Sequence, residues 1–143
     1  MGTTTFSGPV KAGTVREGAS ANTGSVLMAQ SAVIDIIGAT NTTAVGIIPA
    51  NSQIVDVILN VTTASDDGGA ATVKIGHVGD DDEYLPATNV KATGTTRGTI
   101  GADGTDIGTS DQTVNAIYTA ANGNGANGAA TVTILYIQNN NLA

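Results

Sequence analysis

One imidazole, His77, and no thiol are all that this 143-residue chain offers for the commonest nucleophilic and metal chemistries. A Ser-His-Asp relay needs a histidine to carry the proton, so His77 permits at most one such site, and a Cys-His pair is excluded. The residue lies in Ala71-Thr72-Val73-Lys74-Ile75-Gly76-His77-Val78 and shares the parity of Val73 and Ile75. It therefore reads as a strand residue at the rim of a buried face rather than as a catalytic base or ligand. No phosphate-cradling glycine loop, dinucleotide fingerprint or HExxH helix is present. A glycosidase needs only two carboxylates, and nothing in the spacing singles out a pair. The expectation is a protein that is not an enzyme and holds no cofactor.

Carboxylates are the other candidates. Asp80-Asp81-Asp82-Glu83 places four in a row, and Asp103-Gly104-Thr105-Asp106 adds two in a glycine-rich stretch. Both carry enough oxygen for a hard cation, but neither has EF-hand spacing. Each reads as a solvated acidic loop, with no metal assigned. Sugar recognition wants exposed aromatic platforms, and Phe6, Tyr84, Tyr118 and Tyr136 are the whole supply. Tyr118 and Tyr136 fall in strands with core parity.

Charge narrows the partners. Five basic residues against twelve acidic ones give a net charge of −7. That balance disfavours nucleic acid, whose affinity comes mainly from neutralised phosphates, and it disfavours an anionic membrane surface. No apolar run approaches the roughly 18 residues of a spanning helix, and MGTTTFSGPV lacks the basic-then-apolar grammar of a removable signal. With no disulfide framework available, the expectation is synthesis in a cytoplasm and a fold held by packing alone.

The elements that would position these residues are strands. Thirteen valines, thirteen isoleucines and twenty-two threonines fit a pleated sheet, and nineteen glycines and twelve asparagines supply turns. Residues 1–24 show neither the period of a strand nor that of a helix, so they read as an extended N-terminal arm with isolated apolar points. Residues 25–143 read as one β domain. Ser25–Ile37 gives one or two strands, and Ile47–Ser52 a strand end and proline turn. Gln53–Thr63 is the strongest strand, with Val55, Val57, Leu59 and Val61 assigned to one face. Ser65-Asp66-Asp67-Gly68-Gly69 reads as a tight reversal pairing that strand with Ala71–Val78 in a hairpin. Gln112–Ala120 and Ala130–Gln138 are further strands, separated by Ala121–Ala129 (ANGNGANGA), which reads as a long flexible turn. Seven or eight short strands at this spacing predict an all-β, antiparallel two-sheet sandwich of jelly-roll type.

A thin aliphatic core leaves much of the stability to contacts between subunits, and an arm with spaced apolar residues can order on a neighbour. Three segments then carry a resemblance: FSGPVKAGTVREG, IPANSQIVDVILNVTTAS and GAATVKIGHVGDDDEYLPATNVKATGTTRGT. Together they resemble small virion proteins of tailed bacteriophages, most of all the capsid decoration (cement) proteins. Residues 6–100 carry it best and residues 130–138 more weakly. The resemblance implies a homotrimer on the outer surface of the phage head, assembled in the host cytoplasm, whose arms clamp neighbouring subunits of the major capsid protein. Phe6, Pro9, Val10, Lys11, Val15 and Arg16 are the arm residues expected to meet the capsid. A head-fibre or tail-knob module that binds a host receptor or glycan through residues 79–88 and 93–110 is the alternative.

Overall fold

The computed structural model describes residues 11–15, 21–25, 27–101 and 107–138. Ten strands follow one another: β1 (Lys11–Val15), β2 (Ala21–Ser25), β3 (Leu27–Asp35), β4 (Asn41–Ile48), β5 (Ser52–Thr63), β6 (Ala71–His77), β7 (Asp80–Asn89), β8 (Gly94–Arg97), β9 (Gln112–Ala120) and β10 (Ala129–Gln138). β1 and β2 form a two-stranded antiparallel ribbon within the segment read as a strandless arm. The remaining eight make two four-stranded antiparallel sheets, in the orders β3-β10-β5-β8 and β4-β9-β6-β7. Every connection among them except β6–β7 crosses from one sheet to the other.

Alternation dictates the packing. Val114, Ala116 and Tyr118 of β9 and Ala130, Val132, Ile134 and Tyr136 of β10 point inward. They join Val57, Leu59 and Val61 of β5 and Val73 and Ile75 of β6 in one hydrophobic cluster between the sheets. Inner faces of two sheets buried against each other make a β-sandwich. The strands read at Gln112–Ala120 and Ala130–Gln138 are in place, β10 starting one residue earlier.

Three expectations are corrected. β5 does not form a hairpin with β6; it pairs with β10 and β8, while β6 pairs with β7 and β9. The segment between them carries the chain across the sandwich, because Ser65 and Asp67 are buried against Tyr118 of β9 and the β9–β10 connection rather than exposed at a turn tip. Val55 does not share the face of Val57. The ladder to β10 passes from Asp56 to Ile54, so Val55 bulges, and beyond it Ile54 and Ser52 turn into the core while Val55 turns out. Asp80–Glu83 is not a loop but the start of β7, an edge strand. A run of carboxylates there discourages pairing with another chain.

One corner is closed by a side chain. Gln30 Nε2 donates to the Ile47 carbonyl at 2.7 Å, and Gln30 Oε1 accepts from the Ile47 N–H at 3.1 Å. The amide thus mimics a strand partner and ties edge strand β3 to edge strand β4 of the opposite sheet. Gly46 leaves room for it, since a Cβ there would stand 2.6 Å from Gln30 Oε1.

Candidate interaction surface

His77 sits where its parity placed it, partly buried at the end of β6. Its Nε2 lies 2.6 Å from Glu83 Oε2, and its Nδ1 lies 2.9 Å from the Val78 carbonyl. Both ring nitrogens are therefore engaged within one hairpin. An open cleft of about 370 Å³ beside it is lined by His77, Val78, Ile107, Ser110, Asp111, Gln112 and Thr113. The residue types invite a relay, but the geometry does not assemble one: Asp111 Oδ1 instead accepts the Ala50 N–H at 2.9 Å. Tyr84, behind the cleft, donates to Gln112 Oε1 at 2.9 Å. Burial, reinforced by the nearby charges of Glu83 and Asp80, pushes its hydroxyl up to about 12, so it stays protonated.

The carboxylates of Asp80–Glu83 are dispersed rather than convergent. Asp81 pairs with Lys74 at 2.5 Å and Glu83 with His77. Among the described residues, no three His, Asp or Glu side chains gather as a metal would require. Asp103 and Asp106 lie outside the described residues. Tyr84, Tyr118 and Tyr136 are all buried, so none of the three is a stacking platform for a sugar.

The surface that stands out is the outer face of the β3-β10-β5-β8 sheet. Register brings Leu27 beside Ile137, Ala29 beside Leu135, and Leu135 beside Asp56. The bulged Val55 lies next to Asp56, and Ile58 follows two residues further along β5. Leu27 and Val55 are each 50% exposed and Val33 is 70% exposed. The face carries little charge: Asp56 is matched by Arg97 from β8, leaving Asp35 at the far end. An aliphatic area of this kind on a sheet face marks a contact surface more often than a solvated one. From sequence, Val55 was assigned to the core face, Ile58 was read as interrupting the polar face of Gln53–Thr63, and Leu27, Val33, Leu135 and Ile137 were read only as strand residues. The signal lay in β3, where Leu27 and Val33 occupy the same outward parity.

Of the arm residues expected to meet a capsid, Lys11 and Val15 open and close β1, opposite Ser25 and Ala21 of β2. Phe6, Pro9, Val10 and Arg16 lie outside the described residues. The ribbon runs through Ser25 towards β3, whose first residue, Leu27, belongs to the aliphatic face.

No protein-family model matches this sequence, and no curated protein does. Solved structures do share its fold. A chain in the acidic stable capsid structure of Helicobacter pylori bacteriophage KHP30 superposes with a TM-score of 0.62 at 17% identity, covering 90% of this chain and 93% of that one. A chain in the cyanophage Pam1 capsid asymmetric unit gives 0.60 at 15% identity, covering 97% and 92%. One in the capsid of Ralstonia phage GP4 gives 0.51 at 21%, covering 80% and 85%. Nearly the whole chain is thus similar in fold to chains found in bacteriophage capsids.

Proposed function

We propose that this chain is a bacteriophage virion protein, and specifically a capsid decoration (cement) protein that sits on the outer head surface and stabilises the shell. The observation that carries the reading is the fold shared, over 80 to 97% of the chain, with chains from three phage capsids. The strand order supports it: β3-β10-β5-β8 over β4-β9-β6-β7, with nearly every connection crossing between sheets, is read as a jelly roll, a fold used by viral capsid and lectin domains. Buried tyrosines favour the capsid branch of that pair over sugar stacking. The role is structural, with no catalytic residue assigned.

In this reading three copies associate and their N-terminal segments reach across the junctions of the major capsid protein. The aliphatic face meets neighbouring copies. A chain of net charge −7 repels itself through its acidic parts, so copies approach most easily by a face whose one internal charge is already matched. Lys11 and Arg16 supply positive charge for the capsid contact, although exposed pairs contribute only about 0–1 kcal/mol each.

The test is binding to purified, undecorated shells by the full chain and by a variant lacking residues 1–25. Because β1 and β2 pair, a cut at residue 20 would strand β2, so the whole ribbon is removed. The proposal expects the truncated variant to remain trimeric and to lose shell affinity. Undiminished binding would remove the arm from the mechanism, and no binding by either form would remove the decoration role.

A further inference from the structure

All three Asn-Gly dipeptides of the chain, Asn122-Gly123, Asn124-Gly125 and Asn127-Gly128, fall in the single connection between β9 and β10. Asn-Gly is the sequence most open to spontaneous deamidation, because glycine has no Cβ to shield its amide nitrogen. That nitrogen attacks the asparagine Cγ and gives up its proton. The Cγ–Nδ2 bond breaks, ammonia leaves, and a cyclic imide forms. Water then opens either carbonyl to give aspartate or isoaspartate. The step needs no reagent beyond water, but it needs an asparagine side chain free to swing towards the next residue.

Here the side chains of Asn124 and Asn127 are held by hydrogen bonds, and Asn122 is held through its backbone N–H. Asp66 Oδ1 accepts from the backbone N–H groups of Ala126 at 2.7 Å and Asn127 at 2.9 Å, while its Oδ2 accepts from Asn127 Nδ2 at 2.7 Å. One carboxylate therefore holds both the main chain and the side chain of Asn127, tying its amide to the same group as its own N–H. Asp67 Oδ1 accepts from the Asn122 N–H at 3.3 Å and its Oδ2 from the Asn124 N–H at 3.0 Å. The Asn124 side-chain oxygen accepts in turn from the Gly68 N–H at 2.9 Å. Asp67 is buried, and Lys91 Nζ donates to its carbonyl and to that of Gly69, fixing the far side of the turn. The segment that reads as a flexible turn is thus strapped to the β5–β6 connection by two adjacent carboxylates.

We propose that Asp66 and Asp67 shield these three junctions from deamidation, Asp66 guarding Asn127 and Asp67 guarding Asn122 and Asn124. The protection is self-referential. Deamidation of Asn127 would replace the amide donor facing Asp66 by a second carboxylate, and like charges at hydrogen-bond distance repel. The first event would therefore loosen the strap that restrains the other two.

The experiment follows the three sites by peptide mass spectrometry during incubation of the full chain in mildly alkaline buffer. The wild type is compared with Asp66→Ala and Asp67→Ala. Asp66→Ala should raise the rate at Asn127 by about tenfold, the order expected when hydrogen bonds to a charged group are lost, with a smaller rise at the other two. Asp67→Ala should show the reverse order. Unchanged rates, or equal rises at all three sites in both variants, would overturn the assignment. A second arm needs no variant: in the wild type, all three sites should deamidate much faster in concentrated urea than in the folded protein. Equal rates in the two conditions would overturn the shielding itself.

Discussion

The two outer faces of the sandwich are built on the same alternation and finished differently. On the β4-β9-β6-β7 sheet the outward positions include Thr42, Ala44, Ile47, Thr72, Lys74, Thr113, Asn115, Ile117 and Thr119, with Ile47 57% exposed and Lys74 paired to Asp81. On the β3-β10-β5-β8 sheet they include Leu27, Val33, Val55, Ile58, Leu135 and Ile137. Threonine satisfies both the pleat and water, so most of the first face needs no cover, Ile47 and Ile117 being its aliphatic points. The second exposes aliphatic area that costs free energy until something displaces its water. The two faces differ in degree, and the association between copies proposed above supplies a reason for the difference.

Substitutions can break that comparison. The largest effect is expected from Val55→Lys combined with Leu135→Lys, which places two charges in the proposed copy-to-copy contact. Their desolvation should weaken association by about a hundredfold or more. Thr113→Lys with Thr119→Lys on the opposite face should leave it unchanged. Analytical ultracentrifugation distinguishes the cases, and equal effects on the two faces would end the distinction.

The next effect concerns what keeps the faces in register. Gln30→Ala removes the amide that joins β3 to β4 and leaves the Ile47 N–H and carbonyl without it. A loss of about 1–3 kcal/mol in denaturant unfolding is expected, with the β3–β10 and β4–β9 ladders still intact.

Acid sharpens the contrast between the strapped end and the rest. Asp66 is held below the usual 3.8 by hydrogen bonds from Asn127 and Ala126. For Asp67, burial acts upward, but the backbone amides of Gly69, Asn124, Asn122 and Gly123 outweigh it and the net shift is downward. A carboxylate whose folded value is depressed takes up its proton more readily when unfolded. Its contribution is therefore present above pH 3.8 and lost as pH falls through the lower folded values. Protection factors for amide exchange at residues 122–127 should stay high at mildly acidic pH and fall only as pH drops below 3.8 through that window. Loss of protection already at pH 5 to 6 would contradict the strap, the expected window lying well below that range.

The smallest effect is expected at Ser52. Its hydroxyl is buried in the core without a hydrogen-bond partner among the described residues, a consequence of the Val55 bulge turning it inward. Ser52→Ala should be neutral or raise stability by about 1 kcal/mol, read from the urea midpoint. A clear loss would mean that the hydroxyl has a partner.

How much of this was legible in the sequence follows from what each reading rested on. β9 and β10 were readable because Val114 and Ala116 alternate with Thr113 and Asn115, and Val132 and Ile134 with Thr131 and Thr133, and the period of two is a local property. The partner of β5 was not local. Asp66-Asp67-Gly68-Gly69 has hairpin grammar, yet its carboxylates find five backbone or side-chain donors some sixty residues away, and these override the turn. The parity of Val55 failed for a related reason, since a bulge is set by the neighbouring strand. The ribbon β1–β2 lacks apolar alternation altogether; its pairing is a backbone ladder that composition does not advertise. For the interaction surface, the sequence offered the arm, while the aliphatic face emerged only once β3, β10 and β5 were placed side by side.

The central claim, that this is a shell decoration protein whose aliphatic sheet faces its neighbours, is tested most directly by a cryo-EM reconstruction of the virion that carries this chain. The account predicts trimeric density on the outside of the head, with β3, β10 and β5 turned towards adjacent copies and the N-terminal segments crossing capsid junctions. Density confined to a fibre or tail tip, or trimers with that sheet turned to solvent, would contradict it.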